Sequence, residues 1–215
     1  MAEAPSRAAP KIALTLLLLG LGGLIYGILT SLANASPDWA IASKIIGIGW
    51  SWAALGIVAS AVVPRMPIRG ALVCLLCAVV AYYLADGARG LYTAADAGTG
   101  SSSIAWGVLA AEMAPWAVAA VVLGIPLALI GAALRRPDML GLLSRLAIPV
   151  GAAVEYFVLR LPAELVDQNE VLITTCVALG TTGTVCAIAI VVRAAARGEL
   201  RWPGTRASRP DPSAG

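Results

Sequence analysis

Six apolar runs joined by short connections leave this chain few ways to fold. A bilayer core takes about 20 apolar residues per helix. Windows of that kind fall at 12–33, 45–63, 70–86, 105–134, 141–161 and 171–192. The first is the strongest, with Leu16, Leu17, Leu18 and Leu19 in a run free of charge. The fourth is over-long and contains Pro115 and Pro126, which predicts a tilt, a kink or a start outside the membrane. The expected fold is all-α: a polytopic transmembrane bundle of six helices over residues 12–192. A disordered N-terminus at 1–11 and a basic disordered tail at 193–215 flank it. Composition agrees, because 60% of the 215 residues are hydrophobic and only 13% are charged. A soluble domain is about 45–50% apolar and about 25% charged. Too little polar surface is left to cover a water-soluble particle, so a soluble enzyme and a disulfide-rich secreted domain are both excluded.

Charge placement predicts the orientation. With the N-terminus in the cytoplasm, the inside segments hold Arg7, Lys11, Arg65, Arg69, Arg135, Arg136, Arg145, Arg193, Arg197, Arg201, Arg206 and Arg209. Those are 12 of the 15 basic residues; Lys44, Arg89 and Arg160 make up the other three. Cationic residues gather on the cytoplasmic side of membrane proteins, so both termini are expected there, in the cell membrane. The same scatter through short loops is no nucleic-acid signal. Ala33-Asn34-Ala35 resembles a signal-peptidase site, but the apolar run before it exceeds the usual length of a signal peptide, so it reads as a retained span. The external connection at 87–104 is rich in Gly, Ser and Ala, and is either a mobile lid or plain linker.

Helices in lipid associate through small and polar residues. Gly23 and Gly27 form a GxxxG pair in the first span, and Gly180 and Gly183 lie in the last beside Thr174, Thr175, Thr181, Thr182 and Thr184. Tight packing accounts for both sets, and a solute pathway along the threonines is the other reading. Trp50 and Trp52 sit inside the second span, and Pro149 predicts a kink in the fifth. Cys74 and Cys77 make a CxxC at mid-span with no neighbour to activate a thiolate, and Cys176 and Cys186 are too far apart along one helix to bridge. All four read as small apolar residues.

The chain has no histidine, which removes bis-histidine haem, His-ligated zinc and Ser-His-Asp catalysis. No P-loop, dinucleotide fingerprint or paired Asp-rich prenyl-diphosphate motif is present, so no metal and no cofactor are expected. Chemistry falls to the intramembrane acids. Glu155 lies well inside the fifth span, where a carboxylate costs about 2.5–3.5 kcal/mol on insertion scales. Gly151 and Ala152 share its face, which therefore meets other helices. A neutral acid there serves as a Brønsted acid or proton relay, or as a hydrogen-bonding link between helices. Glu112, before Pro115 and Trp116, is either a site residue or an interfacial one. Tyr82, Asp86 and Arg89 share one helix face at the end of the third span, where Asp86 and Arg89 either serve a site or simply pair with each other. All three acids fall in the outer half of the membrane, below Glu164, Asp167 and Glu170. Tyr82, Tyr83, Tyr92, Trp106, Trp116 and Tyr156 sit at similar depth. The expectation is one outward-opening pocket, with Glu155, Glu112 and Asp86 as catalytic acids. Tyr82, Tyr83, Trp106, Trp116, Tyr156 and Arg89 would contact the substrate. Aromatic faces stabilise a cation, and a carboxylic acid can protonate an alkene or epoxide in a dry cavity; the same site suits protons or cationic solutes.

Three stretches carry a resemblance: Leu32-Ala-Asn-Ala-Ser-Pro-Asp-Trp39, Ala81-Tyr-Tyr-Leu-Ala-Asp-Gly-Ala-Arg-Gly90 and Gly151-Ala-Ala-Val-Glu155. Through them the chain resembles a family of small six-helix actinobacterial membrane proteins of uncharacterised function, over most of 12–192. In size, span number and buried acids it also resembles the membrane-bound terpene cyclases of meroterpenoid pathways. That family's Trp-Glu element in the second span has no counterpart, since Trp50-Ser-Trp52 stands there without an acid. The cyclase resemblance implies an acid-initiated cyclase or isomerase of a prenylated, lipid-like substrate, with Glu155 as proton donor and no cofactor. The alternatives are a small-solute or proton-coupled transporter, a membrane substrate-binding subunit, and a structural membrane partner. Membrane lipids and a hydrophobic small molecule are the expected partners.

Overall fold

A computed structural model describes residues 8–95 and 102–200. Helix α1 (Ala8–Asn34) leads through a 3-10 turn (Pro37–Trp39) into α2 (Ala40–Ile46) and α3 (Gly49–Val62). Helix α4 (Pro67–Ala88) is followed by a short antiparallel ribbon, β1 (Thr93–Ala95) and β2 (Ser102–Ile104), and by α5 (Trp106–Ala133). Helix α6 (Met139–Val154) runs through a π-helical turn (Glu155–Arg160) into α7 (Leu161–Asp167), and α8 (Glu170–Ala196) ends the described bundle. Five helical stretches are long and apolar enough to cross a membrane, and the stretch Pro37–Ile46 with α3, bent by 48°, makes a sixth where the two are counted as one broken span. The chain is thus a multi-pass helical membrane protein.

Its packing inverts that of a soluble domain. Leu14, Leu17, Leu18 and Leu21 of α1 and Val118, Val122 and Leu129 of α5 are exposed, while Ala71, Ala78 and Ala128 are fully buried. Large apolar groups face lipid, and small ones let helices approach. Helices α1 and α4 run parallel in the most extensive helix contact of the fold. A Cβ on Gly23 would stand 2.2 Å from the Cys74 carbonyl oxygen, and one on Gly27 2.1 Å from that of Ala78. Helices α3 and α5 pack on α4 and on each other, where a Cβ on Gly131 would meet the Ser60 hydroxyl. Helices α6 and α8 form a second unit, with Gly180 against the Phe157 ring and Gly183 against the Pro149 carbonyl. The two units meet along α2–α3, where Ile48 and Trp50 pack with Ala152, Tyr156 and Cys176.

Several expectations change. The second span is not one rod: Gly47 closes α2, Ile48 is extended (φ −115°, ψ 163°), and α3 starts afresh at Gly49. Pro115 and Pro126 lie inside one uninterrupted α5. Backbone irregularity in the fifth span falls at the π-turn, after Pro149. The connection at 87–104 is partly the β1–β2 ribbon, with Thr93 opposite Ile104; residues 96–101 lie outside the described residues. Positions 193–196, expected in the tail, are helical in α8, and Arg145 forms an ion pair with Glu199. Positions 1–7 and 201–215 lie outside the described residues. Thr174, Thr175, Thr182 and Thr184 bond back to the carbonyls of Glu170, Val171, Ala178 and Gly180, at 2.8–2.9 Å. The cysteines are free, with Cys74 and Cys176 buried.

The α5–α6 turn carries a titratable cap. Asp138 Oδ1 accepts the Gly141 amide at 3.1 Å, and Oδ2 accepts Arg136 Nη2 at 2.7 Å. The Arg136 guanidinium, then the Gly141 amide, hold the Asp138 carboxyl below its ordinary value. A lowered folded-state value stabilises the turn above the ordinary carboxylate range and ceases to do so as pH falls through it. Exchange of the Gly141 amide, referenced to intrinsic rates, should therefore accelerate from about pH 4 downward. In Asp138→Ala it should be fast already at neutral pH; equal protection in both proteins would remove the cap from the account.

Candidate functional site

The interruption of the second span is where the site begins. A broken helix in hydrocarbon exposes carbonyls at one stub and amides at the next, and each unsatisfied group costs several kcal/mol. Here hydroxyls supply the bonds. Tyr26 of α1 donates to the Ile46 carbonyl at 2.6 Å, and Ser51 reaches the carbonyls of Ile46 at 3.0 Å and Ile48 at 2.7 Å. Tyr156, fully buried in the π-turn, donates to the Lys44 carbonyl at 2.7 Å. The break is thus fastened from both helical units.

Glu155 faces this break. One carboxylate oxygen, Oε2, lies 3.0 Å from where a Cβ on Gly49 would stand, and Oε1 accepts Arg160 Nε at 3.2 Å. In an α-helix five residues make about 1.4 turns, so positions 155 and 160 would point apart. A π-turn closes its bonds five residues on and brings them to one face. The wide turn is what creates the Glu155–Arg160 pair. Lys44 and Glu164 form a second ion pair between α2 and α7, with the Glu164 side chain 5% exposed. The Trp50 ring packs on Tyr156 at 6.2 Å, and its buried Nε1 meets no acceptor among the described residues.

A separate polar cluster joins α1 to α4. Ser31 donates to Asp86 Oδ1 at 2.7 Å, Arg89 pairs with the same carboxylate, and Arg89 Nη2 reaches Ser31 at 3.0 Å. Asn34 donates to the Tyr82 hydroxyl at 3.2 Å and accepts from Ser43 of α2. A row of rings links this cluster to the break: Tyr26–Trp52 at 5.3 Å, Trp52–Tyr82 at 6.4 Å, Tyr82–Tyr83 at 5.3 Å and Tyr83–Tyr92 at 6.2 Å. Burial, then the charges of Asp86 and Glu112, push the Tyr92 phenol above its ordinary value.

The expected single pocket divides accordingly. Asp86, Arg89, Tyr82 and Tyr83 come together at the α1–α4 end. Glu155 and Tyr156 belong to the break, with α2–α3 between the two groups. Glu112 is exposed on α5, as are Trp106 and Trp116 at 60% and 61%, and the Glu112 charge reaches Tyr92 at the α1–α4 end. Sequence reasoning missed the roles of Tyr26, Ser31, Lys44 and Arg160. The Gly47-Ile48-Gly49 triplet marks the break that Tyr26 and Lys44 serve, and the five-residue spacing from Glu155 marks Arg160; Ser31 has no such signal.

No protein-family model matches the chain, no curated protein matches it, and no solved structure matches it. The functional reading rests on the geometry of its own residues.

Proposed function

We propose that the protein is a proton-coupled carrier of a small carboxylate-bearing solute, with both termini in the cytoplasm. The observation that supports this is the broken second span facing the Glu155–Arg160 pair. Carriers place substrate and ion sites at discontinuous helices, whose half-helix N-termini attract anionic groups. Here the first turn of α3 stands beside an acid and a guanidinium. Protonation of Glu155 releases Arg160 to bind the solute carboxylate, and proton and anion cross together. Arg160 offers two donors in a plane, the geometry that suits a carboxylate. The basic end of the bundle, holding Lys11, Arg65, Arg69, Arg135 and Arg136, supports the cytoplasmic assignment.

Proteoliposomes containing a pH-sensitive dye test this reading against a panel of monocarboxylates and amino acids. An inward solute gradient should acidify the lumen for at least one member of the panel. Glu155→Gln should abolish that acidification yet retain exchange of labelled solute at equal concentrations on both sides. Proton flux that persists in Glu155→Gln removes Glu155 from the coupling.

A second reading, a cofactor-free acid-initiated cyclase of a prenylated lipid, draws support from the row of rings beside Asp86 and Arg89. Deleting the gene would then cause a linear prenylated precursor to accumulate in the membrane lipids, whereas the carrier reading leaves that profile unchanged.

A further inference from the structure

Helices α1 and α3 both lean on α4 and leave a furrow between them. Its apolar part is a cavity of about 280 Å³ walled by Leu18, Gly22 and Ile25 on one side and Leu55 and Val58 on the other, with Cys74 of α4 at its floor. A second cavity of about 170 Å³ lies one turn toward the basic end, between Lys11 and Thr15 of α1, Val62 at the end of α3 and Arg65 beyond it. The two lie in line along α1, with Thr15 of one cavity a turn from Leu18 and Leu19 of the other. From Lys11 to Tyr26 the rise is about 22 Å. That matches the hydrocarbon of one leaflet, about 15 Å, with a headgroup added.

Gly22 says what the furrow is for. Gly20, Gly23 and Gly27 each press against α4, whereas a Cβ on Gly22 would meet nothing within 4 Å. A glycine in a helix interior is unfavourable, and no contact within the described chain accounts for this one. Its effect is to deepen the furrow. At the mouth, Lys11 and Arg65 are exposed, and neither forms an ion pair among the described residues. The other acids described at that end, Asp138 and Glu199, are held by Arg136 and Arg145. A slot with two cations at its mouth that are unpaired among the described residues, and apolar walls below, has the charge and polarity of an anionic amphiphile in reverse.

We propose that the α1–α3 furrow holds one anionic phospholipid, its phosphate between Lys11 and Arg65 and one acyl chain lying over Gly22 toward Tyr26. The site is independent of the carrier reading. It also gives the lipid a contact with function, since the Tyr26 hydroxyl at the end of the chain fastens the broken second span.

Native mass spectrometry of the protein released from nanodiscs tests the assignment, with phosphatidylglycerol and phosphatidylcholine supplied in equal amounts. The wild-type protein should retain one phosphatidylglycerol. Lys11→Ala/Arg65→Ala should weaken retention about thirtyfold, as two basic groups near an anionic headgroup imply. Arg193→Ala, a basic residue on α8, should bind as wild type. Gly22→Phe, whose Cβ meets nothing within 4 Å and whose ring occupies the furrow, should also lose the lipid, with its melting temperature showing that it folds. Equal retention of the two lipids overturns the proposal, as does undiminished retention in the double variant. A dimer that Gly22→Phe dissolves also overturns it, by making a second copy of the chain the occupant.

Discussion

Gly27→Val should prevent stable assembly of the bundle. A Cβ at this position would lie 2.1 Å from the Ala78 carbonyl oxygen and 2.9 Å from the Tyr82 amide nitrogen. Both are backbone atoms of α4, so no rotamer change relieves the clash and the two helices must separate. Overpacking in a well-packed interior costs about 1–3 kcal/mol, and more where backbone has to move. Separation here reaches beyond Gly27. Ser31 and Asn34, the next turns of α1, hold Asp86 and Tyr82 of α4, and Tyr26 holds the break. The expected result is a large drop in melting temperature and loss of the monodisperse peak in detergent. Gly22→Ala is the matched control, because it adds a Cβ to the same helix where nothing lies within 4 Å; it should melt at or above the wild-type temperature. If the two variants melt alike, close α1–α4 packing is not what holds the bundle.

The contrast between these glycines shows what a linear reading of the chain can reach. The GxxxG spacing of Gly23 and Gly27 encodes a helix face, and that face is the one α4 covers. Hydropathy likewise locates α4, α5 and α8, since crossing a bilayer demands length and apolarity, and both are visible along the chain. The α2–α3 break is invisible to that measure. Gly47, Ile48 and Gly49 are as compatible with an apolar window as a continuous helix would be, and only two glycines flanking one β-branched residue hint at a stop. The π-turn is hidden for a different reason: it is a change in hydrogen-bond register, which carries no signature of its own. Its trace is the Glu155–Arg160 spacing, which is meaningless in an α-helix and pairs the side chains in a π-turn. Asp86 and Arg89 were legible as a pair because three residues lie within helical reach, but their third member, Ser31, is distant in sequence and comes from α1. Trp106 and Trp116 share a depth with the site but stay exposed on α5, because helix rotation is set by packing.

Asp86→Ala should cost about 3–5 kcal/mol of stability, the penalty for removing one partner of a buried ion pair. The Asp86 and Arg89 side chains are 8% and 25% exposed, so water reaches the guanidinium and the loss should fall toward the lower end of that range. Ser31, fully buried, also loses the acceptor of its hydroxyl. Asp86→Asn keeps an oxygen in place for Ser31 and Arg89 and should recover much of the stability. A cycle through Asp86→Ala, Arg89→Ala and the double variant should give a double loss well below the sum of the singles, because the two groups act as one unit. The same variants separate architecture from chemistry. If Asp86 serves as a clamp, Asp86→Asn folds and retains function, whereas Glu155→Gln folds and loses proton coupling. An Asp86→Asn protein that is stable but inactive would instead move the working acid from the break in the second span to the α1–α4 cluster, and the ring row from Tyr26 to Tyr92 would become the wall of the site.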